Sequence, residues 1–229
     1  MPRQPRLVIV GYPHHIILRG NNRSAIFYND KDKRFFIKYL KEAKEKTGSK
    51  IYAYCLMGNH VHLLIEPSTE DGLADMMQLA GIRYAQYINR TYKRTGTLWE
   101  GRFRSSVVSN DEYLLTCGKY IELNPVRAKM VKKPQDYLWS SFGVRAGERM
   151  DGLLDEDPAY KGLGVTPEER QRNYKSLFEE SIPNNVVDVV RLTTQRGGVL
   201  GGKDFIAKVS KLSGRDIVLR PIGRPKKGI

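Results

Sequence analysis

Two strongly β-prone runs lie close together between residues 50 and 66. The first is KIYAYCLM at residues 50–57, and the second is HVHLLIE at residues 60–66. Only Gly58 and Asn59 separate them, and such a pair between two β-prone runs is a turn signal. The sequence therefore predicts a β-hairpin, which commits this part of the chain to a sheet.

The elements around the hairpin follow from hydrophobic spacing and helix-end signals, such as Asp30 as an N-cap and Gly48 as a helix end. In chain order, the sequence predicts a strand at 14–19, a helix at about 31–47, the hairpin, a helix at 72–93, a strand at 103–108, a helix to about 123 and a short helix from 124. The first six elements form a β-α-β-β-α-β series. This series predicts the fold class α+β, with a ferredoxin-like (RRM-like) palm made of an antiparallel sheet and two helices on one face.

Two of the four histidines in the chain stand in the second strand of the hairpin. Side chains two apart on a strand share a face, so His60 and His62 point the same way and Val61 points the other way. Two co-facial imidazoles can hold one divalent cation. The same spacing also fits two half-exposed strand histidines that bind nothing. The other two histidines, His14 and His15, are adjacent and are predicted to point to opposite faces.

Tyr120 precedes Asn124 by four residues in the third predicted helix. Four residues turn a helix by about 400°, so the two side chains lie roughly 40° apart on one face. An amide oxygen is a suitable third ligand for a hard cation. A tyrosine beside a metal-polarised phosphate can attack it and form a phosphotyrosine intermediate.

The same residues have plainer interpretations. Asn124 can be only the N-cap of the short fourth helix, and Tyr120 only a half-buried aromatic residue. Other tyrosines also compete for the role of nucleophile. Tyr113 lies two turns earlier on nearly the same helix face, and Tyr84 and Tyr87 lie on the preceding helix. Spacing alone does not choose among them.

The chain carries 39 Lys and Arg residues against 25 Asp and Glu residues, a formal net charge of +14, and its pI is near 9.7. Such a surplus predicts a polyanionic partner, usually nucleic acid, because Lys and Arg displace counterions from phosphates. A generally basic surface without a partner is the alternative. Between Arg83 and Arg104, six basic residues are opposed only by Glu100, and interleaved aromatic residues could stack on unpaired bases.

The chain divides into three parts by composition. Residues 1–147 contain the palm and its motifs, and residues 148–214 read as a helical extension of unknown role, with helices opening at Thr166-Pro167, near Asn185 and at about 203. Residues 215–229 form a basic tail. The Gly-Arg-Pro-Lys-Lys stretch in this tail resembles an AT-hook that lays Arg into a narrow minor groove. A disordered tail that adds nonspecific attraction to phosphates is the alternative.

Several classes of protein are disfavoured. No apolar run approaches the ~20 residues of a membrane helix, and the LVIV run after the basic start is too short for a signal peptide. Cys55 and Cys117 cannot form a disulfide framework and read as reduced thiols. The chain has no GxxxxGK[ST] phosphate loop, HExxH or G-x-S-x-G motif. We expect a cytoplasmic, nucleoid-associated protein.

Four ordered runs carry a resemblance to a known family. These runs are GYPHHIILRGNNR, YCLMGNHVHLLIEP, LWEGRFRSS and KYIELNPVRAKMV, and DYLWSSF at 136–142 also fits. Together they resemble the REP-associated tyrosine transposases, which belong to the HUH single-strand nucleases and are relatives of small bacterial insertion-sequence transposases. The resemblance covers about residues 5–142. It does not extend to the region after about residue 147.

The resemblance implies a single-stranded DNA endonuclease and strand transferase on a ferredoxin-like palm. His60 and His62 match the metal-binding pair, Tyr120 matches the nucleophile, and Asn124 falls at the third, polar ligand. The resemblance implies Mg²⁺ or Mn²⁺ as the ion, and single strands bearing hairpins from repetitive extragenic palindromes as substrates. The tyrosine joins the 5′ side of the break and leaves a free 3′-OH. A monomer or a homodimer, and a nucleophile acting in cis or in trans, all remain open.

Basic and polar residues of the palm and tail are predicted to hold the DNA as a group. They are Arg19, Asn21, Arg23, Arg83, Arg102, Arg104, Arg127, Arg224, Lys226 and Lys227. Two other functions fit the same fold. One is a DNA- or RNA-binding regulator that does no chemistry, and the other is a replication-initiator or relaxase-like nickase of the HUH class.

Overall fold

The structure, a computed structural model, describes residues 5–110 and 112–217. Four antiparallel strands lie in the spatial order β2-β3-β1-β4. They are β1 (His14–Arg19), β2 (Lys50–Leu56), β3 (His60–Glu66) and β4 (Arg104–Val108). This order is that of a ferredoxin-like sheet, so the predicted α+β fold class is confirmed.

Nine helices are found in the described part of the chain. They are α1 (Asp30–Thr47), α2 (Gly72–Thr91), α3 (Glu112–Glu122), α4 (Asn124–Arg127), α5 (Phe142–Arg145), α6 (Pro158–Lys161), α7 (Pro167–Ser176), α8 (Asn184–Arg196) and α9 (Lys203–Ser213). None of these helices is both long and apolar enough to cross a membrane.

The two faces of the sheet bury different apolar clusters. On β3, Val61 and Leu63 pack with the inner sides of α1 and α2, as Ile16 and Leu18 of β1 do. Leu64 points to the other face and packs with residues of α3 and α8. Since strand side chains alternate, His62 lies on the α3 side together with Leu64. The sheet thereby separates the long helices from the face that carries the predicted site.

Helix α1 shows how local side chains fix an element. Its N-cap is Asn29, whose side chain accepts the Asp32 N–H, while the Asp32 carboxylate accepts the N–H of Asn29 in return. The predicted N-cap, Asp30, is therefore wrong by one residue, because only Asn29 is followed three residues later by a carboxylate that can close the capping box. Gly48 ends the helix with φ 63°, as predicted.

The extension packs directly on the palm and adds to its sheet. Helix α7 begins behind Thr166 in a capping box and α9 covers Lys203–Ser213, both as predicted. The prediction of helices alone was incomplete, because Val199–Leu200 forms a short strand, β5, parallel to β4. Helix α8 packs against α3, β1 and β4. The AT-hook prediction concerns residues 220–228, which lie outside the described residues.

Candidate functional site

Three histidine rings and one tyrosine ring meet on the α3 side of the sheet. The ring centroid of His62 lies 5.0 Å from that of His60, 5.2 Å from that of His15 and 5.9 Å from that of Tyr120. The centroids of Tyr120 and His15 are 5.6 Å apart. The structure therefore brings together the histidine pair of the hairpin and the tyrosine of α3, which are some sixty positions apart in the chain.

Strand register and helix packing produce this meeting. On β1, Ile17 lies opposite His62, so His15 is the diagonal neighbour of His62 on the same face. Helix α3 lies across that face and turns Tyr120 toward it, within the same apolar cluster as Cys55 and Leu64. Tyr120 is only 3% exposed, so its side chain is buried more completely than the half-buried aromatic residue of the plainer interpretation.

One nitrogen of His60 is occupied by its sequence neighbour. The Asn59 amide nitrogen donates to the Arg23 carbonyl oxygen over 2.9 Å, which turns the Asn59 Oδ1 atom toward His60. That oxygen lies 2.6 Å from His60 Nδ1 and accepts its proton. The Nε2 atom of His60 is then the unprotonated nitrogen of a neutral ring.

Asn124 is oriented in a similar way. Its amide nitrogen donates to the carbonyl oxygens of Tyr120 and Ile121, over 3.1 and 3.0 Å. Both donor hydrogens are thereby used, and the Oδ1 atom is the group left to act as a ligand. Asn124 is the first residue of α4 and Leu123 occupies the N-cap position, so the interpretation of Asn124 as an N-cap is wrong.

The donor set fits a hard divalent cation. Burial lowers the pKa of His60 to about 4 and that of His62 well below its ordinary value, with neighbouring positive groups acting in the same direction. Both rings are therefore neutral near pH 7, as metal ligands must be. Among the described residues, no three His, Cys, Asp or Glu side chains are arranged to hold a metal ion. A cation held by the two histidines would therefore need a third ligand of another residue type, such as an amide oxygen.

His15 is a member of the site that the sequence analysis did not assign. It is completely buried, and its Nε2 atom lies 2.9 Å from His62 Nδ1 while its Nδ1 atom lies 2.8 Å from Thr194 Oγ1. Burial, reinforced by Arg127, lowers its pKa to about 3. The only sequence signal for His15 was that adjacent strand residues, His14 and His15, point to opposite faces. The strand register is needed to show that His15 is the one on the face of His62. No sequence pattern indicated Thr194.

Arg127 lies against the tyrosine. Its guanidinium carbon lies 4.2 Å from the centroid of the Tyr120 ring, and its Nη2 atom donates to the Tyr120 carbonyl oxygen over 2.9 Å. Its Nη1 atom is buried and has no hydrogen-bond partner among the described residues. Arg127 was predicted as a DNA contact, and the structure adds that it packs on the face of the candidate nucleophile.

The tyrosines of α2 are occupied elsewhere. The Tyr84 hydroxyl donates to the Ile26 carbonyl oxygen over 2.6 Å, and the Tyr87 hydroxyl donates to Asp32 over 2.9 Å. Both belong to the helical layer on the opposite side of the sheet from His62. Tyr113, on α3, packs at the margin of the Tyr120 cluster. It is the natural comparison for Tyr120.

A basic groove adjoins the histidines. Arg19 pairs in register with His60, and it lines a groove together with Glu100, Arg102, Arg104 and Gln195. A neighbouring groove shares the last three and adds further basic residues, Arg6, Arg196 and Arg215. The end of α8 thus forms one wall of a cationic channel that starts beside the site.

The other predicted DNA contacts are dispersed. Asn21 and Arg23 form a short 3₁₀ turn after β1, next to the hairpin turn. Arg83 lies on the α1–α2 layer, where it forms an ion pair with Glu42 and packs over Tyr39. The predicted contacts Arg224, Lys226 and Lys227 lie outside the described residues.

Comparison with known proteins identifies the family. The family profile described as "Transposase IS200 like" matches residues 9–124, a segment that contains His60, His62, Tyr120 and Asn124. A REP-associated tyrosine transposase of Haemophilus influenzae is 25% identical over 135 residues, which are 52% of this chain and 77% of the relative.

A solved structure supports the same fold. The structure of a REP-associated tyrosine transposase bound to a REP hairpin superposes with a TM-score of 0.56 and 16% identity, covering 68% of this chain and 98% of that chain. The resemblance predicted from the four sequence runs is confirmed. This chain belongs to the IS200-like transposase family and resembles its REP-associated tyrosine transposases.

Proposed function

We propose that this transposase is a metal-dependent endonuclease and strand transferase for single-stranded DNA, and that it acts through a covalent 5′-phosphotyrosine at Tyr120. The observation that carries the proposal is the contact of the Tyr120 ring with His62 and His15 in the same chain. A nucleophile and a cation-binding pair that belong to one chain support catalysis in cis. A partner subunit is then not needed to complete the site.

The chemistry of the Tyr120 step is a phosphoryl transfer. The Tyr120 hydroxyl oxygen attacks a backbone phosphorus, a P–O bond to tyrosine forms, and the P–O3′ bond breaks. The phenolic proton passes to solvent, and the departing 3′ oxygen takes up a proton to become a free 3′-OH. The number of phosphoester bonds is unchanged, so a second 3′-OH can reverse the step and join a new end without ATP.

Residues of the chain would stabilise the negative charge that develops in this step, either by holding a cation or directly. His60, His62 and Asn124 would hold the cation through His60 Nε2, His62 Nε2 and the Asn124 amide oxygen. A divalent cation bound there would polarise the scissile phosphate and would stabilise the charge that develops on it. The Arg127 guanidinium, packed on the Tyr120 ring, stabilises negative charge on the tyrosine as its proton leaves.

The basic groove supports a single-stranded substrate. It begins at Arg19, beside His60, and runs past Arg102 and Arg104 to the end of α8. A strand lying in it has its backbone held by guanidinium groups and one phosphate near the histidines. The REP hairpin carried by the structural relative makes hairpins from palindromes the first substrates to test.

The test uses the purified full-length protein and hairpin oligonucleotides taken from the flanks of its own gene. Each strand is labelled at either its 3′ or its 5′ end and incubated with Mn²⁺ or with EDTA. We expect an SDS-resistant protein adduct with the 3′-labelled strand only, because the tyrosine keeps the 5′ phosphate. The 5′-labelled strand should give a shorter free product, and EDTA should abolish both.

Tyr120→Phe and Tyr113→Phe are the matched variants for this test. We expect Tyr120→Phe to abolish the adduct while DNA binding stays within about threefold, because one hydroxyl adds little to a wide electrostatic interface. Tyr113→Phe should form the adduct normally. An adduct that survives in Tyr120→Phe refutes the assignment, and binding without any adduct on any hairpin favours a regulator that does no chemistry.

A mixing experiment tests cis catalysis. His62→Ala and Tyr120→Phe each lack one half of the site, and a mixture restores activity only if two chains share a site. We expect the mixture to be as inactive as either variant alone. Recovery of adduct in the mixture would establish catalysis across a dimer.

A further inference from the structure

A neutral imidazole carries one proton, and the nitrogen that carries it cannot bind a cation. We infer that Thr194 of α8, acting through His15, holds the proton of His62 on Nδ1 and so reserves Nε2 for the cation. The inference rests on the metal site of the proposed function. It gives a role to the extension, since Thr194 lies beyond residue 124, where the family match ends.

The first step is the hydrogen-bond count at Thr194. A threonine hydroxyl has one hydrogen to donate, and here it donates to the Val190 carbonyl oxygen over 2.9 Å, one helical turn earlier. The Thr194 oxygen must therefore act as an acceptor in its other two contacts. These are with His15 Nδ1 at 2.8 Å and with Ser106 Oγ at 2.9 Å.

The second step is the proton of His15. Because the Thr194 oxygen only accepts in this contact, the proton of His15 sits on Nδ1. His15 is completely buried, and the partners of its two ring nitrogens, Thr194 Oγ1 and His62 Nδ1, carry no negative charge that would pair an imidazolium. The ring is therefore neutral, and its Nε2 atom carries a lone pair and no proton.

The third step transfers this constraint to His62. The bare Nε2 of His15 lies 2.9 Å from His62 Nδ1 and can only accept, so His62 donates from Nδ1. The remaining nitrogen, His62 Nε2, is then unprotonated and able to bind a cation. A hydrogen bond from the distal nitrogen of a metal-binding histidine is the usual way in which proteins fix the orientation and basicity of that ligand.

Burial makes the chain of hydrogen bonds obligatory. His15 and Thr194 are fully buried, and Ser106 and His62 are at most 3% exposed. Water cannot readily replace a missing partner at such positions, and an unsatisfied buried group is costly. The Asn59 side-chain oxygen likewise accepts the proton on His60 Nδ1, so each proposed metal-binding ring is held in one tautomer by its own partner. Thr194 is thus a positioning residue and touches no reacting atom.

The test compares Thr194→Val with Thr194→Ser. Valine keeps the shape and removes the acceptor, whereas serine keeps the hydroxyl. Thr193→Val is the matched control, because Thr193 is an equally buried neighbour outside this chain of hydrogen bonds. Two measurements are made on the metal-free full-length protein: ¹⁵N chemical shifts of the His62 ring by NMR, and Mn²⁺ affinity by calorimetry.

We expect wild type, Thr194→Ser and Thr193→Val to show His62 protonated on Nδ1 alone. Thr194→Val should show proton on Nε2 and should bind Mn²⁺ about 10- to 100-fold more weakly, the usual loss when a ligand's supporting partner is removed. Ser106→Ala should change the affinity by less than about threefold, since Ser106 only donates into Thr194 and does not hold the His15 proton. If Thr194→Val unfolds, the ring shifts of wild-type His62 alone test the inferred tautomer.

The outcomes separate the inference from the proposed function. Wild-type shifts and affinity in Thr194→Val overturn the inference, as does a wild-type His62 that carries its proton on Nε2. A large affinity loss in Ser106→Ala without a tautomer change in any variant also overturns it. If wild type binds no Mn²⁺, the proposed metal site fails, and the His62 shifts in wild type and Thr194→Val still decide the tautomer inference.

Discussion

Tyr120 and Arg127 are seven residues apart, and the chain turns between them from α3 into α4. That turn folds the guanidinium back over the Tyr120 ring and ties it to the Tyr120 carbonyl oxygen. A hydrogen bond and a ring contact therefore hold the two residues together. A basic residue that the sequence suggested as one of many DNA contacts becomes a specific neighbour of the nucleophile.

We predict that Arg127→Gln slows adduct formation by about 100-fold at saturating DNA, the usual effect of removing one preorganised charge-stabilising donor. Arg104→Gln is the matched comparison, because Arg104 lies in the groove and is exposed. It should weaken DNA binding and leave the rate at saturating DNA close to that of wild type. Single-turnover kinetics across a range of DNA concentrations separate the two effects. If both variants bind DNA more weakly to the same extent and keep the wild-type rate at saturating DNA, Arg127 is only a phosphate contact.

Helix α3 is held in place by contacts on two sides, one through Tyr120 and one through Glu122. Tyr120 faces the sheet, while the fully buried Glu122 carboxylate accepts hydrogen bonds from the hydroxyls of Ser141 and Tyr174. The Tyr174 bond is 2.7 Å long and comes from α7 in the extension. The extension therefore anchors the helix that carries the candidate nucleophile.

We expect Tyr174→Phe to lower the free energy of unfolding by about 1–3 kcal/mol, because it leaves one buried oxygen of Glu122 unsatisfied without creating a large cavity. Tyr28→Phe is the control, since Tyr28 is about half exposed and its change should stay within about 0.5 kcal/mol. Urea unfolding of both variants makes the comparison. A value for Tyr174→Phe as small as that for Tyr28→Phe would show that this anchor carries little stability.

The elements differ in how far the sequence could predict them. Helix α9 begins where the sequence predicts it, at about 203, and Gly214 takes the left-handed conformation that ends a helix. Strand β5 has only two residues between glycine pairs, too few to show any periodicity, and it forms because the edge of β4 offers partners. His60, His62, Tyr120 and Asn124 could be proposed from spacing and resemblance. The contact between His15 and Thr194 joins residues 179 positions apart, and no local pattern encodes it.

At the scale of the whole molecule, all four histidines are held neutral. Burial is the main cause in each case: it lowers the pKa of His14 and His60 to about 4 and that of His15 to about 3, and it lowers that of His62 well below its ordinary value. Unfolding releases these rings to water, where their pKa is about 6.5. Below that pH the unfolded chain binds protons that the folded chain does not.

Stability should therefore fall as the pH drops from about 6.5 to 4, by up to about 1.4 kcal/mol per pH unit for each histidine. Glu122 acts in the opposite direction, because burial raises its pKa to about 7 and its contribution is lost as the pH rises from about 4.5 to 7. The four histidines together outweigh Glu122, so the free energy of unfolding should fall overall as the pH is lowered. Urea unfolding at pH 7.5, 6.5 and 5.5 measures it.

The control for this trend is His14→Gln, which can keep a side-chain acceptor for the Ile9 N–H. His14 is on the opposite face of β1 from His15, away from the metal site. The variant should show a shallower dependence on pH by about one proton. A flat profile between pH 7.5 and 5.5 in wild type would contradict neutral burial of the histidines.

The parallel pairing of β5 with β4 has a consequence for how the protein is made on the ribosome. Every proposed catalytic group has been synthesised by residue 127, but Thr194 and strand β5, which pairs with β4 next to the end of α8, are synthesised later. A nascent chain therefore has its histidine pair and its tyrosine before it has the group that sets the His62 proton. On the proposed function, the cation-binding nitrogen of His62 is fixed only once residues 194–200 have left the ribosome, later than the other groups of the site.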